Sequence, residues 1–302
     1  MTDRIFFPLF GGDKLAENLA KKLPGTLGRV LTRKFPDGET YLKLLDRVTD
    51  KEVIIVAPLE NPDSKILPVL FLARTARQYG ARKIGLIAPY LPYMRQDARF
   101  SPGECLSSEV FADLLARDVD WLITVDPHLH RHQSLSEFFR MPTRVMHSSP
   151  LLAEYIKEHV HKPLILYADL PAEKWIKDMA RRNGLPAVGF KRLDQNEHNM
   201  QISFPDLSAY EGYTPVILED IIGSGRSITA ALQSLKGTRL TQAWVIGVHG
   251  LFCGDTYRKI AAFRPAGIVS TDSVPHPTNQ IGLADLLVEG MKEMNPVELK
   301  LP

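Results

Sequence analysis

Short apolar runs recur along the chain, each closed by a polar or Pro/Gly break and followed by helical spacing. The clearest are VIIVAPL (53–59), KIGLIAPYL (83–91), WLITVDPHL (121–129), PLILYADL (163–170), TPVILEDII (214–222), AWVIGVHGLF (243–252) and AGIVSTDSV (266–274). Runs of this length without polar alternation predict strands buried on both faces, as in a parallel sheet. Helical spacing falls between them at 66–80, 108–118, 149–160 and 174–184, with Gly80 and Gly184 where a left-handed helix cap is expected. Strands alternating with helices imply right-handed βαβ units. Two such series, about 1–145 and 146–302, predict two similar α/β domains, each a mainly parallel sheet flanked by helices. The Pro-containing stretch around Met141 to Ser149 serves as the boundary.

Composition narrows the class. The 302 residues are 44% hydrophobic with a net charge of +2, ordinary for a globular protein and unlike a nucleic-acid binder. Cys105 and Cys253 form neither a disulfide framework nor a C-x-x-C metal site, which fits a reducing, cytoplasmic setting. The N-terminus MTDRIFFPLFGGDK lacks a signal-peptide h-region, and no apolar stretch approaches the ~20 residues of a membrane span.

Ligands of open α/β sheets bind beyond the carboxyl ends of the strands, so the residues following each apolar run carry the candidate chemistry. The strongest segment is VILEDIIGSGRSITAA, starting at Val216. An apolar strand is read as ending in Glu219 and Asp220, followed by the loop Gly223, Ser224, Gly225, Arg226, Ser227 and a helix start. Successive backbone N–H groups in such a loop, with the helix N-terminus, make a nest for a phosphate dianion. The two carboxylates suit a vicinal diol, so the segment describes a ribose 5-phosphate cradle. An ordinary strand–turn–helix junction with Ser224 or Ser227 as N-cap explains the Gly and Ser but not the paired acids. Neither a G-x-x-x-x-G-K-[ST] loop nor a G-x-G-x-x-G fingerprint occurs.

This segment resembles the PRPP-binding loop shared by type I phosphoribosyltransferases and PRPP synthetases, and further segments resemble the synthetase family in particular. KFPDGETYLKL (34–44) is similar to its F-P-D-G-E segment; the resemblance implies that Phe35 stacks on adenine with Asp37 and Glu39 nearby, often across a subunit interface. PYLPYMRQDARF (89–100) resembles its Y-x-R-Q-D segment, implying that Arg95 and Arg99 hold the triphosphate and that Gln96 and Asp97 fix the nucleotide. WLITVDPHLHRHQSLSEFF (121–139) resembles its strand ending in D-x-H, implying that His128 helps hold Mg²⁺–ATP. His130, Arg131 and His132 follow without an assigned role, and a zinc site there lacks a distant Cys/His pair. YADLPAEKWIKDMA (167–180) places Asp169 where the family has an acid contacting ribose 5-phosphate or its metal.

The resemblance implies ATP and ribose 5-phosphate as substrates, Mg²⁺ held with help from His128 and Asp169, a type I phosphoribosyltransferase-like fold, and a homo-oligomer without nucleic-acid or membrane partners. Departures stand beside it. The family's K-x-R pattern is replaced by Lys191, Arg192 and Leu193; Lys191 is taken as the catalytic cation with Arg192 in the second role, against a one-residue slip that would put Phe190 in the lysine's place. Arg95 joins them in stabilising charge on the transferred group. Glu219 replaces a usual Asp, and Gly223 replaces a usual acid. The stretch 191–200 is expected to close over the site. A non-catalytic regulatory homologue and a phosphoribosyltransferase are the rival readings; the broken K-x-R pattern favours the first, and the segments at 34–44 and 89–100 speak against the second.

Overall fold

The structure, a computed structural model, describes residues 3–129, 131–168, 174–193, 201–240 and 242–294. The chain divides into two compact units, one of residues 3–147 with 273–275 and 283–294, the other of 148–272 with 276–282.

The first unit is a parallel sheet built from β1 (Arg4–Pro8), β2 (Thr26–Leu27), β5 (Glu52–Val56), β6 (Lys83–Ala88), β7 (Trp121–Val125) and β8 (Thr143–Met146), in the order β2-β1-β5-β6-β7-β8. Every residue of β5 and β7 is buried, as strands covered on both faces require. Helices α1 (Asp13–Lys22), α2 (Ile66–Gln78), α3 (Ser107–Leu115) and α8 (Ala284–Met294) cover it, and β3 (Val30–Lys34) and β4 (Thr40–Leu44) form a separate antiparallel hairpin. At the amino edge of the sheet, buried Glu52 accepts from Arg4 Nε at 3.0 Å and from Trp121 Nε1 at 3.1 Å. The indole reaches Glu52 by lying over Gly85 of the intervening strand, where a Cβ would sit 2.0 Å from Trp121 Cζ2.

The second unit contains β9 (Pro163–Ala168), β10 (Ala187–Arg192), β11 (Ile202–Ser203), β12 (Thr214–Ile222), β13 (Trp244–Gly250), β14 (Gly267–Thr271) and β15 (Asn279–Ile281). Their order is β11-β10-β9-β12-β13-β14-β15, parallel except for β10 against β11. Helices α4 (Ser149–His159), α5 (Lys174–Arg182), α6 (Arg226–Leu235) and α7 (Thr256–Ala261) complete it. The α/β class and the mainly parallel sheets are as expected from the apolar runs. Both expected glycine caps are Schellman motifs: Gly80 at φ +84° with Ala81 N–H bonding Ala76 O, and Gly184 at φ +66° with Leu185 N–H bonding Ala180 O.

The division falls at 147/148, inside the stretch read as the boundary, which also holds β8, the last strand of the first sheet, whose register with β7 pairs Leu122 with Thr143. Two expectations are corrected. The chain beyond 146 is not all in the second unit. Helix α8 packs on α1 and β8, with Lys22 Nζ 2.7 Å from Asp285 Oδ1 and Gly290 so close that a Cβ would lie 2.8 Å from Met146 Sδ. A return of this kind is invisible in a linear reading, since periodicity locates a helix but not its sheet. Finally, β12 does not end at the acids: it pairs with β13 through Ile222 and Gly250.

Candidate functional site

The carboxyl end of β12 is built by a break in its alternation. Ile217 and Ile222, five residues apart, belong to the same hydrophobic core, which an unbroken period of two forbids. The break falls on Glu219 and Asp220, and both are half-buried rather than one in and one out. Asp220 Oδ1 accepts the N–H of Ile221 at 2.7 Å, a local bond that supports the irregularity. The chain then passes through exposed Ser224 to Gly225, which caps α6 at φ +66°; no side chain caps this helix. Neither Ser224 nor Ser227 is the N-cap, and Ser227 lies buried in the first turn instead. Arg226 is exposed and donates from Nε to Ser224 Oγ at 3.3 Å.

The loop is braced from behind. Phe252 N–H donates to Ile222 O at 2.9 Å and Cys253 N–H to Gly223 O at 3.0 Å. Thr256, itself donating to Cys253 O at 2.7 Å, presses so close that a Cβ on Gly225 would lie 2.6 Å from its Cγ2. Gly225 is therefore required twice, by its left-handed φ and by this approach. The loop's open side offers backbone N–H groups at the positive end of a helix dipole beside two carboxylates, an arrangement that accepts an anion and hydroxyl donors together.

In the same unit, Lys191 on β10 is exposed and Phe190 is buried at 1% exposure. The aromatic belongs to the core, so the one-residue slip does not suit this strand. Arg192 pairs with Ile202 across β10 and β11, but its side chain lies outside the described residues, as do Asp169 and 194–200 of the expected closing stretch.

In the first unit the hairpin of β3 and β4 is the expected turn. Phe35 N–H bonds Glu39 O at 2.8 Å, Gly38 takes φ +92°, and Asp37 Oδ1 accepts Glu39 N–H at 3.1 Å. Residues 31–39 are all exposed, and the Arg33 guanidinium lies 4.6 Å from the centre of the Phe35 ring and 4.5 Å from that of Tyr41. Phe35, Asp37 and Glu39 thus share one ribbon tip.

The 89–100 segment is anchored at its start by buried Leu91, Pro92 and Met94. Tyr93 holds φ +64° and hydrogen-bonds Asp63; burial, with help from that carboxylate, pushes its hydroxyl pKa up to about 12. Arg95 and Arg99 are exposed and available to a polyanion, although Arg99 Nε already donates to Glu104 O at 3.2 Å. Gln96 and Asp97 are engaged internally. The Gln96 side chain accepts from Ser107 Oγ at 2.8 Å, and its carbonyl takes both the N–H and the hydroxyl of Ser108 at the start of α3. The Asp97 carboxylate, 2% exposed, is held by Arg131 and faces His132.

His128 is half-buried just beyond β7. Before it, Asp126 holds φ +36° and bonds His147 Nδ1 at 3.0 Å; that hydrogen bond, then the carboxylate charge, raises the His147 pKa. Asp126 and His147 lie immediately after two adjacent parallel strands, a juxtaposition across 21 positions that the sequence reading missed. Knowing the order of β7 and β8 would have exposed it. His130 lies outside the described residues, and His132 bonds Glu137 at 2.7 Å, which raises its pKa.

Among the described residues, no group of three or more His, Cys, Asp or Glu side chains is arranged to hold a metal ion, and no helix is long and apolar enough to cross a membrane. Mg²⁺ prefers oxygen donors and retains several waters. His128 offers nitrogen, whereas the half-buried carboxylates of Glu219 and Asp220 offer oxygen. Within the second unit, the Glu219 and Asp220 carboxylates are thus the donors whose chemistry suits a hard cation.

Comparison with known proteins gives this geometry its family. Residues 6–118 match the model of the N-terminal domain of ribose phosphate pyrophosphokinase. The ribose-phosphate pyrophosphokinase of Methanothermobacter thermautotrophicus is 30% identical over 281 residues, 93% of this chain and 97% of that one. That of Sulfurisphaera tokodaii is 30% identical over 274 residues, covering 89% and 93%. The crystal structure of phosphoribosylpyrophosphate synthetase from Mycobacterium smegmatis superposes with a TM-score of 0.79 at 22% identity, over 97% of this chain and 99% of that chain, a likeness of fold. With two α/β units, a glycine-capped loop beside paired acids, and matches along nearly its whole length, the chain belongs to the ribose-phosphate pyrophosphokinase family.

Proposed function

We propose that the protein is a Mg²⁺-dependent ribose-phosphate diphosphokinase, converting ATP and D-ribose 5-phosphate into 5-phosphoribosyl-1-diphosphate and AMP. The reading rests most on the end of β12 and its loop, where two half-buried carboxylates precede, by one short turn, a helix N-terminus capped by left-handed Gly225. The backbone of 223–227 holds the 5-phosphate, and Glu219 and Asp220 accept from the 2- and 3-hydroxyls. The ATP-binding segments are those of the first unit: Phe35, Asp37 and Glu39 on the hairpin, Arg95 and Arg99 on the following loop, and His128 beyond β7. Gln96 and Asp97 support that loop from within, a role that differs from direct nucleotide contact.

The C1 hydroxyl of ribose 5-phosphate attacks the β-phosphorus of ATP, and AMP leaves. Phosphoryl chemistry of this kind asks a protein mainly to position reactants and to neutralise spreading charge. Exposed Lys191, with Arg192 and Arg95, supplies that charge; one such donor contributes about 3 kcal/mol in a water-excluded site. His128 and Asp169 are the residues assigned to hold the cation with the substrate oxygens. Held there, Mg²⁺ would supply positive charge to the substrate phosphates.

The cradle is tested by Asp220→Ala. Calorimetric titration is expected to show ribose 5-phosphate affinity falling about tenfold, the worth of a charge-assisted hydrogen bond, while ATP affinity stays within twofold of wild type. Unchanged ribose 5-phosphate affinity would remove the diol assignment. A regulatory homologue is the second reading, favoured by the Lys191–Arg192 departure. Its signature is both substrates binding with no turnover until a catalytic partner is added. A homo-oligomer, acting in the cytoplasm, completes the proposal.

A further inference from the structure

The H-L-H-R-H run after β7 contains cations that substrate binding, as proposed above, does not employ. Arg131 makes four contacts on one loop: its Nε donates to Asp97 Oδ1 at 2.9 Å, its Nη2 also reaches that carboxylate, Nη2 lies 3.4 Å from Arg95 O, and the guanidinium sits 4.9 Å from the centre of the Phe100 ring. His132 closes the same carboxylate from another side, with Nε2 3.6 Å from Asp97 Oδ2 and 3.4 Å from Asp97 O. Glu137 then fixes His132 by accepting from Nδ1 at 2.7 Å. Glu137 is itself tied down, taking the N–H groups of Gln133 at 2.7 Å and Ser134 at 3.3 Å in a capping box. A rigid turn at 133–137 is thereby linked to the loop at 95–100 through one carboxylate that is 2% exposed.

We infer that Arg131 is a positioning residue for nucleotide binding: by gripping Asp97, the carbonyl of Arg95 and the ring of Phe100 together, it fixes the loop that presents Arg95 and Arg99 to a polyphosphate. The guanidinium is needed for its shape. A lysine in its place offers one charge but neither the planar fork nor the ring-stacking face. The inference rests on the diphosphokinase reading for its kinetic consequence and on geometry alone for its effect on the loop.

The test compares wild type, Arg131→Lys and Arg131→Ala by steady-state kinetics and by hydrogen exchange of peptides covering 94–100. Both variants are expected to raise KM for ATP about tenfold, as for a lost charge-assisted pair, with KM for ribose 5-phosphate within twofold and exchange in 94–100 accelerated. Arg131→Lys, which retains charge and is the variant less prone to misfold, controls for a merely structural loss. Equal rises in both KM values with a lowered Tm would reduce Arg131 to a stabilising residue, and unaltered exchange in 94–100 would overturn the inference outright. If the wild type makes no PRPP, the diphosphokinase reading fails instead, and the exchange comparison still decides whether Arg131 holds the loop.

Discussion

The two candidate substrate loops are built from opposite materials. The loop after β12 is made of backbone: Gly225 in the left-handed region, an N-terminus without a side-chain cap, and main-chain bonds from Phe252 and Cys253 behind it. The loop at 95–100 is made of side chains: a buried carboxylate, a guanidinium and an imidazole drawn from a segment 34 positions away. A backbone site is specific to one conformation and intolerant of any added atom. A side-chain site tolerates more but is sensitive to the charge state of its members. The difference also decides where each site can be read, since glycine and serine announce a backbone loop locally and an ion-pair network does not.

The sharpest way to break the comparison is at Gly225. In Gly225→Ala the Cβ meets a left-handed φ, costing about 1–2 kcal/mol, and a contact of 2.6 Å with Thr256 Cγ2, worth roughly 1–3 kcal/mol of overpacking. Ribose 5-phosphate affinity is therefore expected to fall about 100-fold by calorimetry, with ATP affinity preserved. Next in size is Asp97→Ala, which leaves Arg131 and His132 without their shared carboxylate. Urea unfolding is expected to register a loss of roughly 2 kcal/mol, because Arg131 is partly solvated and recovers some of the penalty in water. An equal loss of ribose 5-phosphate binding in Asp97→Ala would erase the distinction between the loops.

Part of this contrast was legible in the sequence. The apolar runs gave the parallel strands, and Gly80 and Gly184 marked helix ends that prove to be Schellman caps. The paired acids and the Gly/Ser loop marked a site, although the pairing of Ile222 with Gly250 carries β12 beyond the acids. Tertiary contacts could not be read that way. Arg131 and His132 received no role because Asp97, their partner, sits in another segment. Trp121 and Glu52 meet only because Gly85 leaves room for the indole. Helix α8 returns to the first sheet for a reason of packing at Gly290 that no periodicity carries.

A smaller effect separates the loops by pH. The hydrogen bond to Glu137 raises the His132 pKa, opposed by burial and assisted by Asp97. A raised histidine contributes stability that is complete below its unfolded value near 6.5 and is lost as pH rises through the folded value. Exchange of 94–100 is thus expected to quicken on moving from about pH 6 to alkaline solution, and His132→Gln is expected to flatten that dependence. The loop after β12, held by main-chain bonds, is expected to show no comparable step. The least effect belongs to Ser224→Ala. Its hydroxyl adds one donor to a nest of backbone groups, so ribose 5-phosphate affinity is expected to fall about threefold, equivalent to well under 1 kcal/mol.

The diphosphoryl transfer proposed for this protein can be followed directly. The direct measurement supplies ATP, Mg²⁺ and ribose 5-phosphate to the purified protein and quantifies AMP and PRPP together over time. Equal, magnesium-dependent accumulation of both is the result this account predicts. Binding of both substrates with no AMP formed would contradict it and would turn attention to the Lys191–Arg192 departure as the mark of a regulatory homologue.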